Sequence, residues 1–344
     1  MGKKWALVAG GSGFIGSHLC DRLLDLGYSV VAVDNFITGS WDNVAHLAGD
    51  ERFQLEEMDA VNVGDLAQRF DLVFHLASPA SPIYYIKYPI ETLHSGSSVT
   101  EALLELARRD GARFIVASTS EIYGDPLEHP QKESYWGNVS SIGPRSVYDE
   151  AKRYAEALTM AFHRSFGVNT GIVRIFNTYG PRMGCEDGRV IPAFIGAALA
   201  DTPVPLHGDG LQTRSFCYVD DLVEGLLSMA FSEEHGPINL GNDSERTLLS
   251  LVEDIIMLTD SASSIEYLPR PVDDPQRRRP DLSLARRLLD WGPQVSFEDG
   301  LNTTIRWYAE QRASGSSEEA EPAIRASLFP ARKFPAFSTP RQGG

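Results

Sequence analysis

The stretch WALVAGGSGFIG, residues 5–16, constrains this chain more than any other. A short apolar run leads straight into Gly10-Gly11-Ser12-Gly13-Phe14-Ile15-Gly16, and a helical period follows over 14–26. Glycines at Gly10, Gly13 and Gly16 permit a tight turn, close approach of backbone to a pyrophosphate, and close packing of helix on strand. The helix N-terminus then offers N–H donors and a positive dipole end to the phosphates. The next apolar run, 29–33, closes on Asp34, 24 residues after Gly10. A carboxylate there accepts from the ribose hydroxyls and repels a 2′-phosphate, so the spacing favours NAD over NADP. The expected cofactor set is Gly10, Gly13, Phe14, Ile15, Gly16, Asp34, Asn35, Leu76 and Ala77, with Tyr148 and Lys152 added below. Asp59 has two readings: an acceptor for the adenine amino group, or the N-cap of a following helix.

The same rhythm continues. Runs at 53–58, 72–76 and 113–117 read as strands buried on both faces, because polar alternation is weak. Residues 14–26 and 91–109 read as helices, with shorter helical pieces at 43–47 and 64–69. Strand–helix–strand repetition implies parallel strands joined by right-handed crossovers, hence a Rossmann-type doubly wound α/β sheet. A long helix at 147–165 and a strand at 168–175 extend that unit. Residues 177–189 carry three glycines and a proline and read as a functional loop. Helices at 191–200, 220–231, 247–258, 282–289 and 297–311, separated by short strands, suggest a smaller α+β lobe. The expected division is 1–180 for the dinucleotide domain, 181–312 for a substrate lobe with segments returning to the sheet, and 313–344 for a disordered tail.

Composition removes several classes. The 344 residues carry a formal net charge of −16, which repels phosphate backbones, so nucleic acid is not an expected partner. Cys20, Cys185 and Cys217 form no CxxC pair and have no grouped histidines, so neither a metal site nor a disulfide framework is expected, and a reducing cytoplasm fits. No apolar run approaches the length of a membrane span, and the short N-terminal one lacks the form of a signal peptide.

The chemistry is concentrated further along. Tyr148 and Lys152 stand four apart, one turn of a helix, on one face. A phenol titrates near pH ~10, and it needs a nearby ammonium and a cationic cofactor ring to serve as a base near pH 7. Ser118-Thr119-Ser120-Glu121 follow the run 113–117, at the carboxyl edge where open α/β sheets bind ligands.

With these residues in view, the sequence resembles the extended short-chain dehydrogenase/reductase superfamily of nucleotide-sugar enzymes, and within it the UDP-glucuronate decarboxylases. The resemblance covers about residues 5–312 and is carried by 75–82 (HLASPASP), 118–125 (STSEIYGD), 174–182 (RIFNTYGPR), 187–190 (DGRV), 212–214 (QTR) and 273–281 (DDPQRRRPD). It implies a reaction at C4 of a nucleotide-linked glucuronate, with Tyr148 as base, Thr119 on the C4 oxygen, Glu121 near C5 and Arg278 at the sugar carboxylate. It places Tyr85 against the sugar ring and Asn177, Arg189, Val190, His207, Arg214 and Arg278 along the nucleotide. Arg174, Arg277 and Arg279 read better as solvated surface charges. Sugar 4,6-dehydratases carry an Asp-Glu pair after the catalytic Thr, whereas this chain has Ser120-Glu121, so the acid that expels the C6 hydroxyl is missing. The resemblance also implies a homodimer built on a four-helix bundle of 91–109 and 147–165.

Three departures from relatives stand out: Gly96 in 93–100 (LHSGSSVT), Ser40-Trp41 in place of a basic stretch, and an unusual loop at 83–88. The competing readings are a 4-epimerase or a 4,6-dehydratase on the same machinery, or a catalytically silent NAD-binding protein, which would be expected to lack Tyr148, Lys152 or Thr119. UDP- and dTDP-linked substrates both remain open at this point.

Overall fold

The computed structural model describes residues 3–185, 187–269 and 277–314. Its first half alternates as the apolar runs require: β1 (Trp5–Ala9), α1 (Phe14–Asp25), β2 (Ser29–Asp34), β3 (Phe53–Glu57), β4 (Leu72–His75), α2 (Pro82–Lys87), α3 (Pro89–Gly96), α4 (Ser98–Asp110), β5 (Arg113–Thr119), α5 (Ser146–Phe166) and β6 (Thr170–Ile175). The second half adds β7 (Thr178–Tyr179), α6 (Val190–Leu199), β8 (Val204–His207), β9 (Thr213–Ser215), β10 (Cys217–Tyr218), α7 (Val219–Phe231), β11 (Ile238–Leu240), β12 (Glu245–Thr247), α8 (Leu248–Leu258), β13 (Ile265–Leu268), β14 (Arg277–Arg278), α9 (Ser283–Leu289) and α10 (Phe297–Ser314).

Seven parallel strands run in the order β11-β6-β5-β4-β1-β2-β3. The strand order reverses between β1 and β4, and the carboxyl ends of those strands open a crevice, as the doubly wound rule expects. Side chains alternate across the sheet. Ala6, Val8, Val30 and Ala32 pack with Leu19 and Leu23 of α1 and Leu222 and Leu226 of α7. Leu7, Ala9, Val31 and Val33 pack with Leu103 and Leu104 of α4 and Phe162 of α5. Smaller sheets pair β12-β9-β14, β13-β8 and β10-β7.

Four expectations change. The helix expected over 91–109 is two helices that break at Ser97, whose φ and ψ are −111° and −91°. Gly96 lies at that break because a Cβ there would sit 2.3 Å from the Ala151 carbonyl oxygen, so α3 and α5 approach backbone to backbone. The loop at 83–88 is mostly helix: Ser81 caps α2 by accepting from Tyr84 N, with Pro82 at the first turn. The short helical pieces are 3₁₀ turns at Trp41–Asn43, Ala45–Leu47 and Ala60–Asp65, the last of them earlier than 64–69. Helix α10 continues to Ser314, two residues into the stretch read as a tail; 315–344 lie outside the described residues, as does 273–276 of the arginine-rich motif.

Candidate active site

One cavity of about 810 Å³ occupies the crevice, and all the residues expected to bind cofactor or substrate line it. Its floor at one end is the glycine turn. Gly10 has φ 83°, and a Cβ on it would lie 2.8 Å from Ala77 N, so this backbone conformation and this approach of β1 to β4 both require glycine. A Cβ on Gly16 would lie 2.0 Å from the Gly10 carbonyl oxygen. Gly13, Phe14, Ile15, Leu76 and Ala77 complete this wall.

Asp34 ends β2 and is buried; its Oδ2 accepts from Ser12 N at 3.0 Å and its Oδ1 from Phe36 N at 2.9 Å. Burial pushes its carboxyl up, and the backbone donors of Phe36, Ser12 and Asn35 oppose that shift. The donors fix the carboxylate at the cavity wall, and each oxygen retains a lone pair for a hydroxyl. Asp59 caps its 3₁₀ turn by accepting from Val61 N, and its Oδ2 lies 3.5 Å from Asn35 Nδ2. The capping reading is therefore realised, and the side chain still faces the cavity. Gly10, Gly13 and Gly16 leave room for a pyrophosphate, and Asp34 presents a fixed carboxylate suited to ribose hydroxyls, so these residues fit an NAD.

The middle of the cavity holds the reactive groups. Tyr148 and Lys152 come from the first turns of α5, whose buried face repeats as Tyr148, Ala151, Lys152, Ala155, Thr159 and Phe162. Thr119 ends β5, and its side chain acts on the Tyr148 phenol against the upward push of burial. Lys152 Nζ lies 5.8 Å from the centre of the Tyr148 ring. Its Nζ donates to the Ala117 carbonyl oxygen at 2.8 Å, and burial lowers its pKa to about 8. The protein's own groups leave the Tyr148 phenol raised: burial pushes it up, and Thr119 opposes this. The sequence reading calls for a cationic cofactor ring as well as the ammonium, and the raised phenol leaves that second requirement in place. Tyr85 of α2 stacks on Tyr148, ring centres 5.2 Å apart and planes 8° from parallel.

Beside these rings, Glu121 accepts from Arg278 of β14 and from Arg145, the residue before α5. Burial pushes its carboxyl up, but Arg278 and then Arg145 outweigh that and hold it at about 2. Asp149 is buried nearby; burial and then Glu121 raise it to about 7. Ser120 is buried in the 3₁₀ turn that follows β5.

The far end carries Asn177, Arg189, Val190, His207 and Arg214. Arg189 precedes α6 with its N bonded to Asp187 Oδ1; Arg214 lies on β9, a strand rather than a loop, and is largely buried. His207 is exposed at the end of β8, its Nδ1 2.9 Å from the Pro269 carbonyl oxygen. Arg277 is exposed and Arg279 is ion-paired to Glu245. Arg174 is no surface charge: it is buried, forks onto both oxygens of Glu156 at 2.9 and 2.8 Å, and donates to Tyr123 Oη. Sequence reasoning also passed over Arg145, Asp149 and the cavity residues Phe216, Trp307 and Gln311. Only Arg145 and Asp149 carried a signal, since both lie within one helical turn of Tyr148.

A glycine turn and a Tyr-x-x-x-Lys helix that meet at the switch point of a doubly wound sheet define a dinucleotide-dependent enzyme of the Rossmann class. Residues 6–241 match the NAD dependent epimerase/dehydratase family, and the chain belongs to that family. Similar proteins include UDP-glucuronic acid decarboxylase 1 of Arabidopsis thaliana, 49% identical over 295 residues that make up 86% of this chain and 67% of that protein. UDP-glucuronic acid decarboxylase 1 of Danio rerio is 47% identical over 325 residues, 94% of this chain and 77% of that one. Among solved structures, a UDP-glucuronic acid 4-epimerase from Bacillus cereus in complex with UDP-glucuronic acid and NAD superposes with a TM-score of 0.80 at 29% identity, covering 89% of this chain and 99% of that one.

Proposed function

We propose that this enzyme decarboxylates UDP-glucuronate to UDP-xylose through a 4-keto sugar, with NAD recycled within each turnover. The observation that carries the reading is the convergence of Thr119, Tyr148 and Lys152 with Arg278 and Glu121 in one cavity, together with the names of relatives 47–49% identical. Gly10, Gly13, Phe14, Ile15, Gly16, Asp34, Asn35, Leu76 and Ala77 would hold the cofactor. NAD, when bound, supplies reversible two-electron oxidation at the sugar C4.

Tyr148 takes the C4 hydroxyl proton, and Thr119 orients that oxygen. Oxidation at C4 leaves the C5 carboxylate β to a ketone, and Tyr148 and Thr119 stabilise the enolate oxygen that remains when carbon dioxide leaves. Glu121, ionised, orients a water that returns the proton to C5. Arg278 binds the carboxylate, Tyr85 packs on the ring, and Asn177, Arg189, Val190, His207 and Arg214 take the nucleotide. Ser120, with no acidic proton to give at neutral pH, disfavours a 4,6-dehydratase. A 4-epimerase must turn its keto sugar over and retain its carboxylate.

The same reading extends to assembly and place. It takes the chain as a homodimer whose bundle uses α3, α4 and α5, supported by exposed apolar Ile86, Ile90, Leu93 and Tyr154 near that face. It takes the setting as cytoplasmic, supported by the buried thiols Cys20 and Cys217; among the described residues no helix is long and apolar enough to cross a membrane. It divides the chain at about residue 180 into cofactor and substrate parts, with β11 returning to the sheet. The test is a panel of UDP-glucuronate, dTDP-glucuronate, UDP-galacturonate and dTDP-glucose. UDP-glucuronate should give carbon dioxide and UDP-xylose. An efficient 4-keto-6-deoxy product from dTDP-glucose, or carboxylate-retaining epimerisation, would overturn the reading.

A further inference from the structure

Glu121 has two cations where one would satisfy it. Its side chain is 16% exposed, bonded through Oε1 to Arg278 and through Oε2 to both Arg145 and Arg278. Arg278 comes from β14 in the C-terminal part, and Arg145 is fixed in sequence at the start of the Tyr148 helix. The ionisable groups around this carboxylate are Arg278, Arg145, Tyr148 and Asp149 at and before α5, and Tyr85 from α2, with Arg189 acting on Tyr148 from the loop before α6. Two guanidiniums against one ionised carboxylate leave a positive charge unbalanced. Asp149 offsets it only in part near neutral pH, because burial and then Glu121 hold it at about 7. Its Oδ1 is buried without a partner, and so is Arg278 Nε. Arg278 is therefore 5% exposed and yet has an unused donor.

A buried donor without an acceptor is costly, and it belongs to an arginine that lines the cavity in which a sugar acid would sit. If Arg278 were the sole partner of Glu121, its turn toward a substrate carboxylate would leave two buried carboxylates sharing one cation. Desolvation and like-charge repulsion would then push a proton onto Glu121.

We propose that Arg145 is a positioning residue: it keeps Glu121 ionised and in place while Arg278 shifts from that carboxylate to the carboxylate of the substrate. This rests on the uronate reading above. It adds that Glu121 occupies Arg278 as an internal stand-in for the substrate acid, and that Arg145 makes the exchange possible without proton uptake.

The test uses the holoenzyme with Arg145→Met and Arg145→Lys. In Arg145→Met, kcat for UDP-glucuronate should fall about 10- to 100-fold, and the acid limb of its pH profile should move upward by about one to three pH units. Arg145→Lys should recover most of both, and NAD affinity should be unchanged in each. In a Glu121→Gln background, Arg145→Met should lower kcat by less than about threefold further, because the two act as one unit. A second readout needs no turnover. In a Tyr148→Phe background at pH 6, calorimetry in two buffers should show up to about one extra proton taken up on binding UDP-glucuronate, relative to UDP-xylose, once Arg145 is Met. If Arg145→Met does not fold, Arg145→Gln against Arg145→Lys makes the same comparison. An unmoved acid limb, additive losses with Glu121→Gln, or equal proton uptake with and without Arg145 would overturn the role of Arg145. Failure of the unmodified enzyme to release carbon dioxide would instead overturn the proposed function, and the calorimetric comparison would still decide the charge exchange.

Discussion

Replacing Gly16 by alanine asks whether the glycine turn is a cofactor cradle or an ordinary bend. The new Cβ lies 2.0 Å from the Gly10 carbonyl oxygen and 2.9 Å from its carbon. Both are backbone atoms, so no side chain can swing aside. Ordinary contact begins at 3.4 Å, so turn and helix must part by about 1.4 Å. Gly10 has little freedom to give: its N donates to the Val33 carbonyl oxygen at 2.8 Å, and a Cβ on it would already meet the Leu76 and Ala77 backbone. Overpacking of this kind costs about 1–3 kcal/mol, with a fall in Tm of roughly 2–4 °C per kcal/mol in a large domain. The N–H groups that open α1 move with the turn. Loss of one charge-assisted hydrogen bond, about 1.5–3 kcal/mol, weakens NAD roughly 10- to 150-fold. Calorimetric titration with NAD and a thermal melt read the two effects separately. Gly64→Ala is the control, since a Cβ there meets nothing within 4 Å. An NAD affinity within threefold of the unmodified protein would refute the cradle, and an unchanged Tm would refute the packing argument.

Tyr148→Phe removes the base but keeps the ring stacked on Tyr85; turnover should fall by about 10²- to 10⁴-fold with NAD binding retained, and near-normal rates would remove Tyr148 from its role. Asp34→Arg should weaken NAD and favour NADP in a direct binding titration; equal NAD affinity would show that the carboxylate is not at the ribose. Glu121 titrates at about 2 in the fold against an ordinary 4.5, so its contribution to stability is complete above pH 4.5 and is lost as the pH falls toward 2. Urea unfolding should therefore show Glu121→Gln losing less stability than the unmodified protein between about pH 5 and 3; parallel losses would contradict the buried pairing.

The parallel sheet was legible because β1, β2, β4 and β5 are short runs buried on both faces, and a chain has few other uses for such runs. Strand β11 was not, since three residues carry no period and parallel pairing with β6 supplies the rest. The break between α3 and α4 at Ser97 hid behind an unbroken helical pattern, next to the close approach of Gly96 to Ala151. Helix α2 was read as a loop: Ser81 and Pro82 are a start signal, but its six residues, Pro82–Lys87, are too few to show amphipathy. The cofactor end of the site was readable because a turn, a helix and Asp34 are local in sequence. Arg145, by contrast, meets Glu121 across 24 positions, and Arg174 meets Glu156 across 18, so neither pairing shows until the fold closes.

The most direct test of the central claim follows carbon-13 placed at C6 of UDP-glucuronate, by NMR, with the purified enzyme and its NAD. The account predicts that the carboxylate signal moves to carbon dioxide and bicarbonate while a UDP-linked pentose with the xylose configuration appears in equal amount. Retention of the label in a UDP-linked hexuronate of inverted C4 would contradict it and identify a 4-epimerase instead.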